Sequence, residues 1–290
     1  MYRGYIAAIV TPFCDGKLDL DSFGSYVDYL SGSPISGFVV CGSTGESLSL
    51  SDDEKVELVK KASAVNSGRK KIIAGVIDAS TSRCVDFMRK VENYVDAFLC
   101  ICPFYVKPSQ DQIVDHFKRL SSSTGNDIIL YNNPGRVGTS IGFEALRRLT
   151  GISNVKAIKE CTSDISVFSL WRPQVKRDFN FLTGNDDTAC GAFAMGAEGC
   201  ISVTANVVPH LCAEMFDAFC NCDREKFNDL RDKLAPLHKL MFTEPSPGPT
   251  KYALSKMGLM KNELRQPLAP ISVELCKKID ETLEGLRAHG

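Results

Sequence analysis

The chain of 290 residues has no apolar run near the roughly 20 residues that a spanning helix requires, so a helical membrane protein is not expected. It also lacks a charge bias. Lys plus Arg number 34 against 35 Asp plus Glu, with no block of one sign, which leaves no electrostatic case for nucleic acid or an anionic membrane as partner. Histidine is sparse, and the four (His116, His210, His238, His289) are dispersed. The close pairs Cys100-Ile101-Cys102 and Cys220-Asn221-Cys222 have a single intervening residue rather than the two to four of a zinc site, so no metal is expected. No Gly-x-Gly-x-x-Gly turn follows the first apolar segment, which removes the main support for a doubly wound dinucleotide fold, and no cofactor is implied. There is no Gly/Ser-rich linker and no low-complexity tract. Met1-Tyr2-Arg3-Gly4-Tyr5-Ile6 enters an apolar strand without the h-region of a signal peptide, which points to a cytoplasmic protein. A small-molecule substrate is the partner left standing.

What is present is an ordinary globular composition, 44% hydrophobic and 24% charged, enough to bury roughly three quarters of the unfolded surface. The twelve cysteines are scattered through apolar segments (Cys41, Cys100, Cys102, Cys190, Cys200) and read as reduced core residues, because free cysteine packs as a small hydrophobe. Apolar, β-branched runs at about 5–11, 37–42, 72–77, 97–102, 127–132, 155–160, 180–184 and 199–204 each precede a segment of helical pattern. Eight such alternations predict an α/β fold, a (β/α)8 TIM barrel. Ser51-Asp52-Asp53-Glu54 and Ser109-Gln110-Asp111-Gln112 have the form of capping boxes after strands two and four. Beyond Asn206 the pattern is helical, interrupted by Thr243-Glu244-Pro245-Ser246-Pro247-Gly248-Pro249. The expected division is a catalytic barrel over 1–223 and additional C-terminal helices over 224–290, packed on the barrel as an appendage of the kind that often makes subunit contacts.

In such a barrel the active site lies at the C-terminal ends of the strands. The strand-end segments are therefore the candidates: Gly42-Ser43-Thr44-Gly45-Glu46, Pro103-Phe104-Tyr105, Tyr131-Asn132-Asn133-Pro134-Gly135-Arg136, Lys159, Thr183-Gly184-Asn185-Asp186 and Ile201-Ser202-Val203-Thr204. A second Thr-Gly-Asn-Asp, at 124–127, precedes its strand and belongs to the opposite face. With the period of two that a strand imposes, Val155, Ala157 and Lys159 face one way and Lys156, Ile158 and Glu160 the other, so one lysine faces inward. An ammonium stripped of hydration gives up its proton more easily, and the amine can attack a carbonyl to form a Schiff base. Singly, each candidate has a plainer reading: a lysine paired with a carboxylate, an ordinary turn, packing tyrosines, a solvated arginine. Together, an inward amine, a glycine turn that can present amides to an anion, a hydroxyl relay of Ser43, Tyr105 and Tyr131, and the planar fork of Arg136 suit a Schiff-base site for a 2-oxo acid.

With these motifs assembled, the chain resembles the dihydrodipicolinate synthase (4-hydroxy-tetrahydrodipicolinate synthase) family, within the superfamily of pyruvate-dependent class I aldolases that includes N-acetylneuraminate lyase. The resemblance runs from Ile9-Val10-Thr11-Pro12-Phe13 to Pro249-Thr250-Lys251-Tyr252-Ala253-Leu254. It implies a lyase in which Lys159 forms the imine with pyruvate and Tyr131 donates and accepts the proton. Ser43 and Tyr105 would complete the relay, Tyr105 reaching into a neighbouring subunit's site of a homotetramer. Thr44 and Ile201 would hold pyruvate, Gly184 would leave room beside it, and Arg136 would hold the carboxylate of L-aspartate 4-semialdehyde. The implied reaction opens the diaminopimelate and lysine route. The alternative is a sibling pyruvate-imine aldolase or dehydratase acting on a sugar acid, such as a neuraminate lyase or a 2-keto-3-deoxygluconate aldolase, which would not need Arg136; a non-catalytic scaffold is a third reading.

Two departures stand out. Ser43 occupies a position where threonine is common, keeping the hydroxyl with a freer rotamer. In the region that binds lysine in feedback-inhibited members, Phe104, Ser82 and Asp78 stand where a tyrosine, a glutamate and an asparagine are usual. A site without the carboxylate for lysine's amine should bind it poorly. Lysine is therefore expected to inhibit weakly or not at all, and an inhibition curve with a midpoint at submillimolar lysine would contradict this.

Overall fold

The computed structural model describes residues 1–288, so His289 lies outside the described residues. Eight parallel strands close into a barrel: β1 (Gly4–Ala8), β2 (Gly37–Val40), β3 (Lys71–Val76), β4 (Ala97–Ile101), β5 (Asp127–Asn132), β6 (Val155–Glu160), β7 (Asn180–Thr183) and β8 (Gly199–Ser202). Each strand pairs with the next, and β8 returns to β1 through Ile6 opposite Ile201. This is the (β/α)8 barrel expected from the alternation of apolar runs and helical patterns. Several strands stop earlier than those runs do. Cys41 takes a left-handed φ of 58°, which turns the chain after Val40, and Thr204–Asn206 coils into a single helical turn after Ser202.

The helices begin where local chemistry marks them. Ser51 and Ser109 both cap reciprocally, each accepting from the backbone amide three residues on while Glu54 and Gln112 reach back. A small hairpin, Phe13–Cys14 with Lys17–Leu18, follows β1. After β8 come helices Pro209–Cys220, Arg224–Leu240, Gly248–Lys256 and Val273–Ala288. Among the described residues no helix is long and apolar enough to cross a membrane, and no cluster of ligating side chains is arranged to hold a metal. All twelve cysteines are free; Cys41, Cys84, Cys100, Cys102, Cys200 and Cys212 are buried, Cys190 is half-buried, and Cys220 and Cys222 are exposed.

Strand β6 departs from simple inside-outside alternation. Both its faces are covered, as parallel barrel strands require: Ala157 and Lys159 on one side, Ile158 and Glu160 on the other, are all buried. Only Lys156, near the start of the strand, reaches water, 3.8 Å from Asp178. The Glu160 carboxylate cannot be left bare there, so it accepts from Asn132 Nδ2 at 2.7 Å and from the Thr162 amide at 3.0 Å. Asn132 in turn accepts from the Ile141 amide at 2.9 Å. This chain of bonds ties the ends of β5 and β6 to the loop that carries Arg136.

Burial pushes the Glu160 carboxyl up to about 7, partly offset by the bonds from Asn132 and the amides of Thr162 and Cys161. Because the folded state binds the proton more tightly than the unfolded chain, the stability Glu160 contributes is full below the ordinary glutamate range and is lost as pH rises through 7. Relative to wild type, Glu160→Gln should therefore gain about 3 kcal/mol of stability between about pH 4.5 and pH 8. Denaturant unfolding at both ends of that window measures it, and a pH-independent difference would refute it.

Candidate active site

Parallel pairing in register sets Tyr131 of β5 directly beside Lys159 of β6, and Lys159 beside Leu182 of β7. The Lys159 ammonium lies 4.7 Å from the centroid of the Tyr131 ring, and both side chains are buried. The phenol hydroxyl accepts from Asn133 Nδ2 at 3.1 Å. Asn133 also caps the short helix Pro134–Val137, accepting from the Arg136 amide at 3.3 Å, so one side chain orients both the phenol and the turn bearing Arg136.

Gly184 follows β7, its amide donating to the Glu160 carbonyl at 2.8 Å. A Cβ there would fall 2.6 Å from Lys159 Cε and 2.2 Å from Cys161 Sγ. The glycine thus makes room for the lysine side chain itself and for Cys161, a more immediate demand than space for a substrate. Cys161 was not singled out in the sequence because its signal was only adjacency to Lys159; its thiol is pushed up to about 11, mainly by burial.

The proton affinity of Lys159 differs from the expectation that apolar surroundings alone would lower it. Burial does press it down, but Tyr131, Cys161, Cys200 and Asp186 push it up, and the net direction is up. Tyr131 is the strongest of these influences, and Asp186 is the one carboxylate among them. It is itself buried, accepting from the Ser202 hydroxyl and from the amides of Val203 at 2.8 Å and Thr204 at 3.1 Å. Asp186 also shapes the turn that follows β8 and Ile201, which is fully buried.

On the β2 side, the Gly42–Glu46 turn is closed by bonds from Gly45 and Ser47 to the Gly42 carbonyl, leaving Thr44 buried and Ser43 half-buried. Ser43, Phe104 and Arg136 line a cavity of 330 Å³ together with Ser246, Pro267 and Leu268 from beyond the barrel. Lys159, Tyr131, Thr44, Gly184 and Ile201 do not line that cavity. Among the described residues no hydrogen bond joins Ser43 to Tyr131. Tyr105 stands apart, 90% exposed and with a φ of 70°. In the feedback region, Asp78 is occupied by a two-pronged ion pair with Arg83, and the Ser82 hydroxyl pairs with Ser80. The 124–127 repeat lies at the start of β5, where Asn126 bonds the carbonyls of Glu92 and Val95, a structural role on the opposite face.

This geometry has close counterparts. Residues 1–286 match the dihydrodipicolinate synthetase family. The 4-hydroxy-tetrahydrodipicolinate synthase of Rhizobium meliloti is 40% identical over 285 residues, covering 98% of each chain. The 4-hydroxy-tetrahydrodipicolinate synthase structure from Methylacidiphilum fumariolicum SolV superposes with a TM-score of 0.96 at 31% identity, covering 99% of this chain and 97% of that one. The chloride-inhibited dihydrodipicolinate synthase of Acinetobacter baumannii, complexed with pyruvate, superposes with a TM-score of 0.95 at 31% identity, covering 99% of both chains. The chain belongs to the dihydrodipicolinate synthetase family.

Proposed function

We propose that this protein condenses pyruvate with L-aspartate 4-semialdehyde to give 4-hydroxy-tetrahydrodipicolinate, through an imine on Lys159. The observation that carries this is a buried amine 4.7 Å from a tyrosine ring, on the strand beside the one that leads into the turn whose Arg136 lines a chamber. In this reading the neutral amine of Lys159 adds to the keto carbon of pyruvate and water leaves. Tyr131, oriented by Asn133, moves the protons of imine and enamine formation. The enamine carbon then attacks the aldehyde, whose carboxylate Arg136 grips from the chamber. Ring closure through the amino group of the aldehyde-derived half releases Lys159.

Thr44 and Ile201 hold pyruvate in this scheme, and Ser43 passes protons at the chamber wall. Tyr105 fits it only if a second copy of the chain brings its own tyrosine to the relay. Its exposed ring, next to exposed Val106, supports assembly into a homotetramer built from dimers; the reading also has the protein working in the cytoplasm. Residues 1–223 form the catalytic unit in this reading and 224–290 the appendage. Arg136, exposed and lining the chamber, favours the synthase over a sugar-acid aldolase.

Three measurements test the proposal. Arg136→Ala should lower kcat/KM for the semialdehyde by about 10- to 100-fold with little change in pyruvate imine formation, whereas unchanged kcat/KM would favour a sibling aldolase. Borohydride with pyruvate should leave a covalent mass gain on Lys159 that Lys159→Ala abolishes along with turnover. Since only the neutral amine attacks and Lys159 is biased toward its cation, the rate of imine formation should climb from pH 7 to pH 9; a flat stopped-flow profile would refute that bias.

A further inference from the structure

Two motifs of the sequence have no part in the chemistry above: Thr11-Pro12-Phe13 after β1, and Pro249-Thr250-Lys251-Tyr252-Ala253-Leu254 in the C-terminal segment. In the structure both converge on one residue, Glu46, the last of the turn that presents Ser43 and Thr44. The Lys251 ammonium bonds Glu46 Oε1, and both side chains are wholly shielded from water. Lys251 also donates to the Glu263 carbonyl at 2.6 Å, and the Arg265 amide donates to Glu46 Oε2 at 3.0 Å. Both carboxylate oxygens of Glu46 are thus held from beyond the barrel. Phe13 supplies the apolar wall, its ring centroid 4.2 Å from the Lys251 ammonium and 4.4 Å from the Arg265 guanidinium carbon. Thr11 fastens the same turn, its hydroxyl donating to the Gly45 carbonyl at 2.7 Å.

The turn needs such fastening. Cys41 and Glu46, at its two ends, take left-handed φ values of 58° and 54° without being glycine, a conformation costing of order 1 kcal/mol or more each. A segment in that state persists only when its surroundings dictate it. Glu46 itself borders the chamber, one residue from Gly45 and two from Thr44.

We propose that Lys251 is a positioning residue of the active site, acting through Glu46 to hold the Gly42–Glu46 turn, and with it the Ser43 and Thr44 hydroxyls, in the geometry that receives pyruvate. The C-terminal segment is then a working part of the barrel's site. This rests on the pyruvate-imine reading, since it assigns the pyruvate side of that reaction to the turn.

The test compares Lys251→Met with the double variant Glu46→Gln/Lys251→Met, which removes the stranded buried charge while still lacking the clamp. The readout is the pyruvate concentration giving half-maximal borohydride adduct on Lys159, alongside KM for the semialdehyde. Leu283→Ala, in the terminal helix, provides a control that destabilises without touching the clamp. The double variant should need at least tenfold more pyruvate, reach full adduct at saturation, and keep the semialdehyde KM within twofold; Leu283→Ala should leave the pyruvate value unchanged despite a lower Tm. A folded double variant within twofold of wild type overturns the inference, as does an equal shift in Leu283→Ala. If neither Lys251 variant folds, Glu46→Gln alone should raise the pyruvate requirement at least threefold, and no rise overturns the inference. A wild-type protein that forms no pyruvate adduct would instead sink the imine reading and this inference with it, so the two failures are distinguishable.

Discussion

Closure of eight strands in parallel register is the constraint on which the rest depends. Lys159 meets Tyr131 because β6 lies beside β5 in that register, and Gly184 clears the lysine's path because β7 lies on its other side. A slip of one residue in either ladder would send the amine to the helix-covered face. The Asn132–Glu160 bond guards against this between β5 and β6, one residue beyond the Tyr131–Lys159 pair. The chemistry is thus specified by backbone pairing, and the loops supply only the groups that must reach a substrate from outside.

Those outer groups are held by different means. Arg136 sits on a four-residue helix whose cap, Asn133, also takes the Tyr131 phenol. Ser43 and Thr44 sit on a turn fixed by a buried ion pair reaching across more than two hundred residues of sequence. A buried pair of this kind contributes little net stability, because desolvating both charges offsets most of their attraction. Its value lies in geometry: a carboxylate bonded on both oxygens has one permitted position, whereas an apolar replacement would pack in several.

The architecture was legible because each strand falls in a short apolar run and two of the helices open on reciprocal serine caps; period and punctuation agree there. The candidate list was legible because the barrel rule converts strand ends into a site. What the sequence hid was of two kinds. Glu160 fell on the outward face by alternation, yet lies buried, since a parallel strand covered by helices has no wet face and the pattern of alternation does not reveal a satisfied carboxylate. Glu46 and Lys251 lie 205 positions apart, and nothing in local composition announces a partner at that distance. Gly184 reads in the sequence as leaving room beside pyruvate, and that a side chain there would meet Lys159 Cε emerges only from packing.

The two buried lysines show how the same residue type is given opposite tasks. A buried lysine can be a structural cation satisfied by a carboxylate, and Lys251, on the helix Gly248–Lys256, is that case: it has Glu46, a backbone carbonyl and an aromatic face. Lys159 has the aromatic face without the rest. Among the described residues no carboxylate lies within ion-pair distance of its ammonium, and Asp186, the charged group near it, spends its oxygens on Ser202 and the amides of Val203 and Thr204. A paired ammonium has its direction fixed by the partner. An unpaired one, steadied only by a ring face and a nearby charge, keeps the freedom to turn, although those surroundings raise its hold on the proton. The fold thus gives Lys251 a carboxylate and a carbonyl to hold it, and leaves Lys159 without either among the described residues.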